Sequence, residues 1–210
     1  AALGGGLTSQ TEALTINKVC GSGLKAVMLA QQAVLSGETH IALAGGQENM
    51  SQAPHLLMNS RSGFRFGSVE MLDHMQWDGL TNPYDGQAMG NCGDLCAKEM
   101  GFSRQEQDDF ALASYEKSQG ALSKGAFKEE VVSLEVTQRK KTITFDQDEE
   151  PLSVDLQKLP KLRPAFSKEG TVTAGNASTI NDGAALLMVC SSQAASSHGL
   201  TPLADSIADE

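Results

Sequence analysis

The stretch INKVCGSGLKAVMLAQQAVLSGETHIALAGG, residues 16–46, joins a helix pattern to a short apolar strand pattern. Apolar residues stand nearly all round the predicted helix, residues 21–36, which indicates burial on most of its faces. The run HIALAGG, residues 40–46, follows a glycine turn and is typical of a strand buried in a parallel sheet. A helix followed by a buried strand predicts an α/β layer fold.

A thiol stands immediately before this helix, because Cys20 precedes Gly21. Backbone N–H groups at a helix start and the positive end of the macrodipole favour a thiolate over a thiol. Gly21 and Gly23 leave room for a substrate, and first-turn N–H groups could stabilise an oxyanion. The alternative is a structural cysteine packed at a sheet end, since free cysteines are among the most buried residues. The local pattern leaves nucleophile and structural cysteine equally open.

Composition and charge narrow the function classes. With 210 residues and 40% apolar residues, the chain can form one large or two small packed domains. The formal net charge of −10 argues against a nucleic-acid partner, and the basic run QRKKT, residues 138–142, is interpreted as a solvated hairpin turn. No apolar run approaches a membrane span and no signal pattern is present, so no membrane partner is expected and a cytoplasmic or organelle-matrix location is predicted.

The remaining cysteines and a loop histidine give weak signals. Cys92 and Cys96 share a helix face, but no second pair or matched histidine accompanies them. We therefore interpret them as apolar helix positions and predict no metal site. Cys190 ends an apolar strand pattern and is predicted to lie in the core. His55 could act as a base, although a lone loop histidine is more often only hydrogen-bonded.

Further elements follow along the chain. Residues 47–80 lack periodicity and are predicted to form an extended loop excursion. Ser103 and Glu106 form a capping-box pattern at the start of a predicted helix over residues 104–123, with Phe110 and Ala113 or Ser114 facing inward. Periodicity also predicts a helix over residues 87–100 and strands over residues 131–136, 141–145 and 184–189.

Five blocks of sequence together resemble the thiolase family, most closely its acetyl-CoA acetyltransferase branch. They are INKVCGSGLKAV, AGGQENMSQAPHLL, DGLTNPYDGQAMG, SRQEQDDFA and LRPAFSKEGTVTAGNASTINDGAA, and they occur in family order. The resemblance implies an α/β fold: a thiolase-like N-terminal half, a layered α/β sheet, with an inserted loop subdomain. It assigns residues 1–46 and 173–210 to the N-terminal domain and the start of a linker. Residues 47–172 become the loop subdomain for coenzyme A (CoA) binding and tetramer assembly.

The resemblance also implies a reaction. Cys20 would be acylated by acetyl-CoA, and a second acetyl-CoA would condense onto the acyl group to give acetoacetyl-CoA and CoA; thiolysis is the reverse. CoA thioesters are the substrates and no further cofactor is implied. The implied assembly of the full-length parent is a homodimer or homotetramer.

Four further residues match family positions that contact pantetheine or the acyl group. These implied contacts are Met89, Phe166, Ala174 and Ser178. The chain departs from the family pattern in two places. Ala88 stands where biosynthetic members carry a histidine, and the acidic loop DEEPLSVD, residues 148–155, lacks the arginine that many relatives place near the CoA phosphates.

Two alternatives to an acetyl-CoA acetyltransferase remain open. One is a longer-chain 3-ketoacyl-CoA thiolase of fatty-acid β-oxidation, which Ala88 leaves possible. The other is a non-catalytic assembly or lipid-binding module with the same fold. The family motifs NEAF, GHP and CxGGG, which supply the base and the second cysteine, do not occur in this sequence. We therefore expect a fragment that lacks the start of the N-terminal half and nearly all of the C-terminal half, and that does not turn over alone.

Overall fold

Contacts along the chain divide it into two units. A computed structural model describes residues 1–138 and 140–205, so Arg139 of the predicted basic turn lies outside the described residues. The first unit comprises Ala1–Ala53 and Asn181–Glu210, and the second Pro54–Ile180. None of the helices described is long and apolar enough to cross a membrane. The family domains expected from the sequence remain predictions in their boundaries and roles.

The first unit is built on one pair of strands. β1 (Ile41–Asn49) pairs antiparallel with β6 (Asp182–Cys190), starting with Ile41 opposite Cys190. The predicted parallel sheet is therefore wrong for this pair, and the strand predicted over residues 40–46 runs three residues further. A continuous apolar run reports that a strand has apolar faces, whereas it carries no information on the direction of its neighbour.

Paired glycines let three backbones approach closely in this unit. Helix α1 (Ser22–Leu35) packs on both strands. A Cβ atom at Gly46 would lie 3.5 Å from the Cα atom of Gly23, the second residue of α1. A Cβ atom at Gly45 would collide with the carbonyl oxygen of Ala185. Packing therefore requires glycine at position 45, whereas a Cβ atom at position 46 would make an ordinary van der Waals contact.

The buried core of the first unit is small and the predicted burial is wrong. Its buried apolar residues are Ala44 of β1 and the pair Ala194 and Ala195 in α5 (Ser192–Ser197). No residue of α1 is buried, and Leu24 is 76% exposed. A two-stranded sheet covers one side of a helix, so the other apolar faces stay open. Large apolar side chains of β6 are likewise exposed, namely Leu186, Leu187 and Met188.

The second unit consists of two hairpins, three helices and short helical turns. β2 pairs antiparallel with β3, and β4 with β5. The elements are β2 (His55–Leu57), β3 (Met71–Asp73), α2 (Met89–Met100), α3 (Arg104–Ser123), β4 (Leu134–Gln138), β5 (Lys141–Phe145), α4 (Glu150–Ser153), a π-helical turn (Met75–Gly79) and 3-10 turns at Ser60–Ser62 and Leu156–Lys161.

Helix α3 begins as predicted but faces the core differently. The capping box is confirmed: the Glu106 N–H donates to Ser103 Oγ at 3.2 Å and the Ser103 N–H to Glu106 Oε2 at 2.7 Å. The Ser103 N–H and the Ser103 hydroxyl, which donates to Glu106 Oε2 at 2.8 Å, lower the pKa of Glu106. The predicted inward face is wrong, since Phe110 is 80% exposed and Ala113 and Ser114 are exposed.

A polar stripe of α3 turns inward instead. Asp108 is buried and Arg104 and Tyr115 are partly buried. Arg104 and Tyr115 also bond to distant groups, the Leu159 carbonyl and the Glu150 carboxylate. Gln119, on the same helix, donates from its side-chain amide to the Pro151 carbonyl at 2.7 Å. These polar side chains satisfy the backbone of an irregular segment, which an apolar residue at the same positions could not do.

Candidate active site

The thiol predicted as nucleophile lies in a tight turn before α1. Cys20 is exposed, and its sulfur is a free thiol. The turn is closed by local hydrogen bonds: the Gly21 N–H donates to the Lys18 carbonyl at 3.0 Å, and the Val19 N–H donates to Asn17 Oδ1 at 2.8 Å. The Cys20 side chain is not buried here, and its role as nucleophile stays a prediction.

Backbone strain accompanies the thiol. Val19 has a φ of +49°, in the left-handed region that β-branched residues rarely enter. Ser22 braces the strained residue because its hydroxyl accepts from the Lys18 N–H at 2.8 Å and donates to the Val19 carbonyl at 2.7 Å. Strain of this kind costs on the order of 1–3 kcal/mol and clusters at functional sites. The sequence reasoning missed Val19 and Ser22, and Asn17, an Asx-turn residue, was the available signal.

The start of α1 is open to an anionic group. Gly21 occupies the N-cap position, no side-chain hydrogen bond caps the helix, and its first turn carries no acidic residue. The backbone N–H groups and the macrodipole therefore favour negative charge beside Cys20. This arrangement suits the oxyanion formed when a sulfur nucleophile attacks a thioester carbonyl.

Met89 and Phe166 both belong to the second unit, where Phe166 lies against the residue that follows Met89. Met89 is the first residue of α2, and its N–H donates to the Leu80 carbonyl at 2.9 Å. Both side chains are about half exposed, at 55% for Met89 and 43% for Phe166. The ring of Phe166 lies against Gly90, where a Cβ atom would collide with it. Ala88, the departure from the family pattern, is the N-cap of α2.

Asp94 holds the segment between Phe166 and the next predicted contact. Its carboxylate accepts from the N–H groups of Thr171 at 2.8 Å and Val172 at 2.9 Å, and from Ser167 Oγ at 3.0 Å. Three donors on one carboxylate fix this loop to α2. The sequence reasoning missed Asp94 because its partners lie more than 70 residues away.

Ala174 borders a cavity, whereas Ser178 does not. The cavity has a volume of about 220 Å³ and is lined by α3, by α4 and the 3-10 turn after it, and by the loop that carries Ala174 and Gly175. Ser178 is exposed and is not among the residues that line it. The structure thus places Phe166 against Gly90, the residue after Met89, and puts Ala174 at a cavity of the same unit.

Titratable groups surround this cavity. Burial and a 2.7 Å hydrogen bond from the Tyr115 hydroxyl to Glu150 Oε1 raise the pKa of Tyr115 to about 12. Asp155 forms an exposed ion pair with Lys158 at 3.0 Å, and a hydrogen bond from Lys158 lowers the pKa of Asp155. The phenol therefore stays neutral and can donate a hydrogen bond at ordinary pH.

The other candidates are isolated. Cys92 is half-buried and Cys96 exposed on α2, and Cys190 is half-buried at the end of β6, where a core position was predicted. His55 is exposed on β2. Among residues 1–138 and 140–205, no group of three or more acidic, cysteine or histidine side chains is arranged to hold a metal ion.

Comparison with known proteins identifies the family. A family model described as "Thiolase, N-terminal domain" matches residues 1–193. A "Probable acetyl-CoA acyltransferase" of Staphylococcus aureus (strain COL) is 48% identical over 206 residues, which are 97% of this chain and 52% of that protein. An "Acetyl-CoA acetyltransferase" of Cupriavidus necator is 49% identical over the same shares of the two chains.

A solved structure agrees with these relatives. The crystal structure of Acat5 thiolase from Ascaris suum in complex with coenzyme A superposes with a TM-score of 0.87 at 37% identity, covering 95% of this chain and 51% of that one. The chain spans about half the length of the curated relatives it matches. The thiolase-like α/β fold expected from the sequence blocks is thereby confirmed, and the chain belongs to the thiolase family.

Proposed function

We infer that the whole protein containing this chain is an acetyl-CoA C-acetyltransferase with Cys20 as its nucleophile. The observation that carries this function is the turn of Cys20: an exposed thiol, held by a strained residue, at the uncapped start of α1. A turn that stores strain while exposing a thiol has no evident structural purpose, whereas it suits nucleophilic attack.

The reaction balances as follows. The Cys20 thiolate attacks the carbonyl carbon of acetyl-CoA, the new S–C bond forms, and CoA leaves as a thiolate that takes up the proton removed from Cys20. A second acetyl-CoA then loses an α-proton, and its carbanion attacks the acyl carbon. The C–C bond forms as the bond to Cys20 breaks, which gives acetoacetyl-CoA and restores the thiol. The family resemblance assigns the proton transfers to the GHP and CxGGG motifs, which are absent from this sequence.

Binding of the CoA moiety is assigned to the second unit. The proposed contacts are Met89, Phe166, Ala174 and Ser178, all within Pro54–Ile180. The Ascaris suum thiolase that this chain resembles was solved with coenzyme A, which supports CoA as the ligand. Met89 and Phe166 offer exposed apolar surface suited to a pantetheine chain, and Ala174 borders a cavity.

The acetyl group is proposed as the acyl group because one relative at 49% identity is named an acetyl-CoA acetyltransferase. The Staphylococcus aureus relative carries the broader name acyltransferase, and Ala88 replaces a marker of biosynthetic members, so a longer-chain 3-ketoacyl-CoA thiolase is the second candidate. Thiolysis rates of the whole protein on acetoacetyl-CoA and on a long-chain 3-ketoacyl-CoA separate the two. A higher kcat/KM for the long chain would replace the first proposal with the second.

Mass spectrometry after mixing the whole protein with acetyl-CoA tests the nucleophile. We expect one added acetyl group on a peptide containing Cys20, and its loss in Cys20→Ser. Cys96→Ser is the matched control because Cys96 is also an exposed free thiol. An unmodified Cys20, or an adduct that persists in Cys20→Ser, would favour the non-catalytic module.

Self-association is proposed from exposed apolar surface. Leu24 on α1 and Leu186, Leu187 and Met188 on β6 are each more than half exposed, and apolar surface of this kind typically marks an interface. A homodimer or homotetramer of the whole protein is expected, which light scattering can measure; a monomer at micromolar concentration contradicts it. A cytoplasmic location stays a prediction from the sequence.

A further inference from the structure

One ion pair on α3 joins two walls of the cavity beside Ala174. Arg104 Nε donates to Asp108 Oδ2 at 2.7 Å, one helical turn apart. Arg104 Nη2 also donates to the carbonyls of Leu159 and Leu162, each at 3.0 Å. These leucines form one wall of the cavity. The arginine therefore ties this wall to α3.

Asp108 anchors a second wall of the cavity, the loop that carries Ala174. Its Oδ1 accepts from the Asn176 side-chain amide at 3.0 Å, and the same amide donates to the Thr171 carbonyl at 3.0 Å. Asn176 Oδ1 accepts from the Thr173 N–H at 2.7 Å. The Asn176 side chain thus spans the loop from Thr171 to Asn176, which carries Ala174, and Asp108 fixes that side chain to α3.

Further contacts restrict movement of the loop from Thr171 to Asn176. Thr173 is fully buried, and its hydroxyl accepts from the Gly175 N–H at 3.2 Å. A Cβ atom at Gly175 would lie 2.7 Å from Leu162 Cδ1 and 3.1 Å from Leu159 Cδ2. The loop that carries Ala174 therefore packs directly against the Leu159–Leu162 wall. The spacing between them depends on Arg104, which holds the wall, and on Asp108, which holds the loop.

We propose that the Arg104–Asp108 pair is a positioning device that sets the spacing of the loop bearing Ala174 against the Leu159–Leu162 wall, and so the affinity for the CoA moiety. Both residues belong to the second unit, and the thiol turn belongs to the first. A buried ion pair is seldom required for stability alone, whereas it can fix one arrangement of the groups around it. This inference rests on the proposed function, since it takes the cavity to be part of the CoA site.

The test variant is Asp108→Asn in the whole protein. Both partners of Asp108, Arg104 and Asn176, are hydrogen-bond donors. The asparagine side chain has one acceptor oxygen, so it can accept from only one of them, and its NH₂ group would face the N–H group of the other. Arg104→Lys is the second variant, because it keeps the charge and loses the planar fork that serves one carboxylate and two carbonyls. Asp109→Asn is the matched control: Asp109 is exposed and accepts from Gln105 Nε2 at 2.7 Å.

The measurement is alkylation of Cys20 by iodoacetamide with increasing CoA. For Asp108→Asn and Arg104→Lys we expect an unchanged alkylation rate without CoA, and a rise of roughly tenfold or more in the CoA concentration that half-protects Cys20. The KM for acetyl-CoA should rise by the same factor while kcat changes little. A merely structural defect would instead alter the alkylation rate and kcat. Asp109→Asn should behave as the wild type.

The outcomes separate the two levels of inference. If CoA does not protect Cys20 in the wild type, the proposed function fails and this inference falls with it. If CoA protects the wild type and both variants equally, only the positioning role is overturned. Should Asp108→Asn fail to fold, Arg104→Lys decides alone, and wild-type protection in that variant refutes the proposal.

Discussion

Replacement of Leu159 by alanine should lower the free energy of unfolding by about 2.5–3 kcal/mol. Leu159 is 3% exposed and lies in the 3-10 turn Leu156–Lys161. Truncation removes roughly three carbon atoms at about 0.8 kcal/mol each, a transfer loss of about 2.4 kcal/mol. The additional void penalty is small, because the vacated space joins the existing cavity of about 220 Å³ instead of forming a sealed void.

Urea unfolding followed by circular dichroism measures this loss. Leu152→Ala is the control: Leu152 lies in the neighbouring α4 and is 55% exposed, so its truncation should cost less than about 1 kcal/mol. Equal costs for the two variants, or a cost below about 1 kcal/mol for Leu159→Ala, would refute the view that this side chain anchors the core of the second unit.

Two further predictions concern α3. Ser103→Ala should cost about 1 kcal/mol by removing the cap, seen as a lower Tm. Ser114→Ala, exposed on the same helix, should not destabilise, and equal Tm losses would contradict the capping role. In a Tyr84→Phe background, which leaves one of the two tyrosines, absorbance should show Tyr115 ionising with a pKa of about 12. Since the pKa of Tyr115 is raised from 10.0, the contribution of Tyr115 to folding stability is full below pH 10 and is lost as pH rises towards 12. Glu150→Gln should lower the titration midpoint of Tyr115, and an unchanged midpoint argues against the hydrogen bond.

Helix α3 shows what sequence can and cannot predict. The start of α3 follows from Ser103 and Glu106, which hydrogen-bond to each other within one turn. The local sequence pattern is therefore enough to predict where this helix begins. Its inward face does not follow from that pattern, because Arg104 and Asp108 are paired with groups 55 to 68 residues away. A hydropathy pattern scores these residues as solvent-facing, although the irregular segment they hold supplies carbonyls and amides that need partners.

The prediction for strand β1 was wrong for a related reason. Its apolar run and paired glycines correctly indicated a strand that packs closely on other elements, and Gly46 does lie against Gly23. The direction of its partner and the degree of burial depend on β6, which arrives more than 130 residues later. Residue types mark which surfaces are suited to burial, and only tertiary structure determines whether they are covered.

The turn of Cys20 and the loop of Ala174 differ in the same way. The turn of Cys20 is closed entirely by hydrogen bonds among residues 17–22, and these bonds offset the strain of Val19. A site built locally leaves a contiguous motif, so INKVCGSG marked Cys20 as a candidate, whereas its role as nucleophile was implied only by the ordered set of family blocks. The loop of Ala174 is held by Asp94 and Asp108 from two other helices, so its supports are scattered along the chain and no local motif contains them. It follows that Cys20→Ser should preserve its turn, whereas the loop of Ala174 should respond to substitutions far from it in sequence.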